Sequence, residues 1–159
     1  MEKNYCAIRT IRGNYVTAVN GGGMGEAANK LPIHTDAIQI RGWEIFKLVF
    51  SSDGYVTIQT QNGNYLTAVN GGGMGNPANT DPVHTDATII QGWETFELIE
   101  VSPGSYAFKT QSGNYITAVN GGGMGEAANK LPIHTDSTHV EDWERFIIVP
   151  VRDPELDKK

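Results

Sequence analysis

Short runs rich in Tyr, Val, Ile, Thr and Phe alternate along the chain with Gly, Asn, Asp and Pro, and no window sustains an apolar helical period. That pattern predicts β structure with almost no helix. YVTIQT (residues 55–60) and NYLTAV (64–69) flank QNG, where Asn-Gly supplies the positive φ of a tight hairpin turn. YAFKT, QSGN and YITAV give the same reading about fifty residues later. A third short strand is expected near residues 32–35, and a fourth over FKLVF from Phe46, matched by FELIE and FIIVP.

The pattern repeats in register. GNYVTAVNGGGMG at residues 13–25 returns as GNYLTAVNGGGMG at 63–75 and GNYITAVNGGGMG at 113–125, while Trp43, Trp93 and Trp143 keep the same spacing. Three units of about fifty residues (1–50, 51–100 and 101–150) fill the 159-residue chain apart from the tail VRDPELDKK, residues 151–159. Four strands in each of three units make twelve. Three units are too few to close a propeller, and an open twelve-stranded sheet would expose its edges. The expected architecture is therefore a single all-β domain, a β-trefoil: six strands form a short barrel, and six cap it as hairpins about a pseudo-threefold axis.

Alternation assigns faces. Val16, Leu66 and Ile116 share a face with Ala18, Ala68 and Ala118, and this exchange among aliphatics reads as barrel core; Tyr15 and Thr17 then point away. In the fourth strand Phe46 and Leu48 alternate with Lys47, with Phe96 and Leu98, and Phe146 and Ile148, in the same places. Trp43 has the opposite parity, shared with a position that varies as Ile45, Thr95 and Arg145, a tolerance expected of solvent. Core packing is the ordinary role of a Trp in a small β domain, but parity here favours an outward ring.

Three repeated groups are candidates for chemistry. Trp43-Glu44, Trp93-Glu94 and Trp143-Glu144 pair an outward indole with a carboxylate. Such a pair suits a sugar, the ring stacking on its C–H face and the carboxylate accepting from hydroxyls; the alternative is that Glu44 serves a neighbouring backbone amide. Asn20-Gly21-Gly22, Asn70-Gly71-Gly72 and Asn120-Gly121-Gly122 open a glycine run longer than a turn needs, which offers a flat floor of backbone N–H groups unless a tight connection alone demands it. No phosphate-loop pattern is present. His34 and Asp36, His84 and Asp86, and His134 and Asp136 stand two apart on one strand face; capping of loop amides and forked recognition of adjacent hydroxyls both fit.

Composition narrows the function classes. A net charge of −6 without a cluster of Lys and Arg argues against nucleic acid, and no apolar run is long enough for membrane insertion. Two potential ligands per repeat fall short of a closed metal site, and no cofactor motif is present. Catalysis has little support: Ser is scarce and unrepeated, Cys6 has no His nearby in sequence, and a hydrolytic carboxylate pair would not need three copies. The single Cys and a start without a secretory layout point to the cytoplasm or non-classical release, or to secretion if a signal had been removed. Replicated sites favour binding, because tethered weak sites gain avidity.

GNYVTAVNGGG, followed by AAN and then GWEIFKL, resembles the fascin-like β-trefoil repeat, and all three units match. That resemblance implies either an actin-bundling module or a carbohydrate-binding module in which the Trp and Glu of W-E-x-F contact sugar. GGMGNPANTDPVHTD in the second unit is similar to a stretch of galactose-binding trefoil lectins of bivalves, which implies sugar contacts from the glycines, His and Asp. Those lectins carry a second His two residues beyond the Asp, where this chain has Ile38, Thr88 and Thr138. The expectation is a non-catalytic lectin, a monomer or small homo-oligomer, with three equivalent sites for neutral glycans such as galactosides or β-glucans. The competing expectation is a structural or cytoskeletal, actin-binding module with no sugar site.

Overall fold

A computed structural model describes residues 3–18, 33–51, 54–68, 83–118, 121 and 133–151. The first unit supplies β1 (Lys3–Arg9), β2 (Tyr15–Ala18), β3 (Ile33–Ala37) and β4 (Phe46–Phe50). The second supplies β5 (Tyr55–Gln59), β6 (Tyr65–Ala68), β7 (Val83–Ala87) and β8 (Phe96–Ser102), and the third β9 (Ser105–Lys109), β10 (Tyr115–Ala118), β11 (Ile133–Ser137) and β12 (Phe146–Pro150). A single 3₁₀ turn precedes the last strand of each unit: Gly42–Glu44, Gly92–Glu94 and Asp142–Glu144.

Antiparallel pairing runs β1–β4–β5–β8–β9–β12 and returns from β12 to β1, so six strands close a barrel without a free edge. The hairpins β2–β3, β6–β7 and β10–β11 are the remaining six strands, each joined to the barrel by one register pair: Arg9 with Tyr15, Gln59 with Tyr65, and Lys109 with Tyr115. This is the β-trefoil expected from the repeat. In the first unit the turn between β1 and β2 closes by bonds from Thr10 N–H to the Asn14 carbonyl (2.7 Å) and from Gly13 N–H to the Thr10 carbonyl (3.0 Å), and Thr60, Asn64 and Gly63, and Thr110, Asn114 and Gly113, repeat it. Gly13, Gly63 and Gly113 sit there at φ of 94°, 93° and 92°, so the Asn-Gly and Ser-Gly signals mark real left-handed positions.

The core follows the predicted alternation. Val16, Leu66 and Ile116, the three alanines two residues on, and Phe46, Phe96 and Phe146 are all buried in one cluster with Ile33, Val83 and Ile133. Each unit contributes a share, and none has a second layer to cover it alone. Thr17, Thr67 and Thr117 do face away from this cluster but are buried as well, because the 3₁₀ turn of the same unit lies over them.

Candidate functional site

Gly42, Trp43 and Glu44 form one tight turn that enters β4. Glu44 N–H donates to the Arg41 carbonyl (3.0 Å), and Glu44 Oε1 accepts from Arg41 N–H (2.8 Å). Its other oxygen, Oε2, accepts from the Thr17 hydroxyl at 2.6 Å. The second unit repeats the arrangement with Gln91 N–H (2.8 Å) and Thr67 Oγ1 (2.7 Å) on Glu94, and the third with Glu141 N–H (2.8 Å) and Thr117 Oγ1 (2.6 Å) on Glu144. These carboxylates are only 6–7% exposed. Both oxygens of each are therefore occupied inside the protein, and the hydrogen bonds offset the cost of removing a charged group from water.

The indoles go the other way. Trp43, Trp93 and Trp143 are 43%, 42% and 44% exposed, as parity predicted. Each is held on a turn pinned at both ends by its neighbouring carboxylate, so a large apolar face meets solvent on a rigid support. The next strand pair brings a second candidate close: Thr17 pairs in register with His34, Thr67 with His84, and Thr117 with His134. The half-buried imidazoles thus lie on the strand beside the threonine that holds the Trp-Glu turn.

Register then shifts. Between the Thr17–His34 and Tyr15–Ala37 pairs, β3 contains one residue more than β2, and β7 and β11 do the same. This bulge interrupts strict alternation after His34, so spacing by two no longer assigns a face. The side chains of Asp36, Asp86 and Asp136 lie outside the described residues, as do Asn20, Gly21, Gly22, Asn70, Gly71, Gly72, Asn120 and Gly122. Gly121 is described. It has φ of +77°, its carbonyl accepts from Arg12 N–H at 3.1 Å, and a Cβ there would meet Ile11 Cγ2 at 2.7 Å. At this position glycine serves close approach of the third unit's loop to the first unit's turn.

Sequence reasoning missed Thr17, Thr67 and Thr117 as parts of the site, since their Glu partners are 27 residues away. Cys6 is buried, and burial pushes its thiol up to about 12, far from a thiolate nucleophile. Among the described residues no group of three or more His, Cys, Asp or Glu is placed to hold a metal ion.

No protein-family model matches the chain, and no curated protein matches it by sequence. Solved structures do match in shape. The designed threefold-symmetric protein ThreeFoil superposes with a TM-score of 0.69 at 14% identity, covering 92% of this chain and 99% of its own. The BEL β-trefoil gives 0.68 at 11% identity, with 93% of each chain covered. SeviL bound to asialo-GM1 saccharide gives 0.63 at 19% identity over 95% of this chain and 100% of its own. At these identities the likeness establishes the β-trefoil fold.

Proposed function

We propose that the protein is a non-catalytic lectin with one neutral-glycan site per repeat, built around Trp43, Trp93 and Trp143. The observation that carries this reading is the contrast inside each Trp-Glu pair: the charged residue is buried with a partner on each oxygen, while the large apolar one keeps more than two fifths of its surface in water. A side chain that covered core would reverse those roles. An exposed indole on a pinned turn offers a flat face to the C–H side of a pyranose with little ordering left to do on binding. His34, His84 and His134 supply ring nitrogens that can donate to or accept from hydroxyls, and the Asp and Gly positions of the same repeat extend the polar set. Glu44, Glu94 and Glu144 act by holding the turn. SeviL, a protein of the same fold, is bound to a saccharide in its solved structure, which supports a glycan as the partner. Galactosides and β-glucans are the two sugar classes to separate.

A glycan array followed by titration tests this reading. The expected result is binding to one of the two sugar classes, and a Trp93→Ala variant that keeps its circular dichroism spectrum while losing one site. Failure to bind any neutral glycan at high concentration, together with cosedimentation with actin filaments, would replace the lectin by the cytoskeletal reading.

A further inference from the structure

The three Trp turns are alike, but what stands beside them is not. Gly92 faces the Gln111 side chain of the following repeat so closely that a Cβ could not fit without moving it; Gly42 faces Gln61 in the same way. Each of these turns therefore lies on a seam between consecutive repeats. At the seam between the second and third repeats a groove of about 440 Å³ opens, lined in part by Gly92, the residue before Trp93. Its size falls within the roughly 300–1,000 Å³ that small-ligand sites occupy.

The lining of this groove is suited to a polyol. Tyr55, 44% exposed, offers a ring, and Thr95, Gln111 and Ser112 offer hydroxyl and amide groups. Glu97 and Lys109 also line it and pair in register across β8 and β9, so opposite charges sit side by side. A balanced pair of charges with several neutral donors and acceptors favours a neutral, hydroxyl-rich ligand over an ion.

Threefold equivalence shows how far the other seams depart. Between the first and second repeats the positions of Thr95, Glu97 and Ser112 hold Ile45, Lys47 and Asn62, removing the carboxylate. Between the third and first, Gly92 is replaced by Asp142, Glu97 by Ile147, Gln111 by Ile11 and Tyr55 by Ser105. The carboxylate, the amide and the ring occur together at one seam only.

We infer that the Trp93 site, alone of the three, continues across the seam into the Gly92–Gln111 groove and takes a second sugar unit of an oligosaccharide. The three sites are then equal for a monosaccharide and unequal for a longer glycan. This rests on the lectin reading above. One or two additional hydrogen bonds make the extended site about tenfold tighter for the longer sugar.

Calorimetric titrations with galactose against lactose, and with glucose against laminaritriose, test it. The expected result for the series that binds is one affinity class for the monosaccharide, and for the longer sugar one tight site per chain above two weaker ones. Glu97→Gln combined with Gln111→Ala, both at exposed positions, should abolish the tight class and leave monosaccharide binding unchanged; Gln61→Ala should leave it intact. Gly92→Ala gives a second route, because its Cβ displaces the Gln111 side chain while Trp93 stays in place. Three equal sites for the longer sugar, or a tight class that survives the double substitution, would overturn the extended site and leave the lectin reading standing. No binding by any of the four sugars would overturn both.

Discussion

A carboxylate taken out of water must be met on both oxygens, and in each repeat one oxygen is met by a threonine hydroxyl from a distant strand. Replacing Thr67 by Val keeps the shape and deletes that donor, so one oxygen of Glu94 is left buried without a partner. The expected loss is about 1–3 kcal/mol in a denaturant titration, with weaker glycan binding at Trp93 as its turn loosens. A substitution that costs stability but leaves the site untouched would show that the Glu supports the barrel and not the indole. At the residue level the sequence was informative about Trp93, whose neighbour two residues on varies freely, and left two roles open for Glu94. The alternative that the Glu serves a neighbouring backbone amide holds for one oxygen, while the threonine that captures the other lies 27 residues away with no local signal.

Among the elements, strands and turns whose signals are local were legible. The alternation of Val16 with Ala18, and of Phe46 with Leu48, placed barrel core correctly. Gly63 illustrates a turn that can be tested without altering packing. Its φ is +93°, and a Cβ would meet nothing closer than 3.8 Å. Gly63→Ala should therefore cost about 1 kcal/mol from backbone strain alone, read as a lower urea midpoint with an unchanged slope; a neutral substitution would mean the turn relaxes to another conformation. The bulge in β3, β7 and β11 was not legible. Alternation assumes an unbroken ladder, so the pairing of His34 with Asp36 on one face extended the pattern past the point where register shifts.

For the whole molecule, the fifty-residue period led directly to the fold, because three incomplete units can cover their apolar faces only by closing one barrel. The pairing of β1 with β12 shows the consequence: the first and last strands complete the same ring. Repetition also led to an expectation of three equivalent sites. What lies between units was not legible, since the seam is made by residues from two repeats that are distant in sequence and differ at all three junctions. If each repeat binds one sugar as proposed, a surface bearing several sugars would be held with a gain in avidity that no single site provides.

If the three exposed indoles are the glycan sites, binding stoichiometry must follow them one by one. Titration of the intact chain with the monosaccharide selected by the array should give three sites, falling to two, one and none as Trp43, Trp93 and Trp143 are replaced by Ala in turn, with the barrel still folded. Undiminished binding in the folded triple variant would place the sugar elsewhere on the protein.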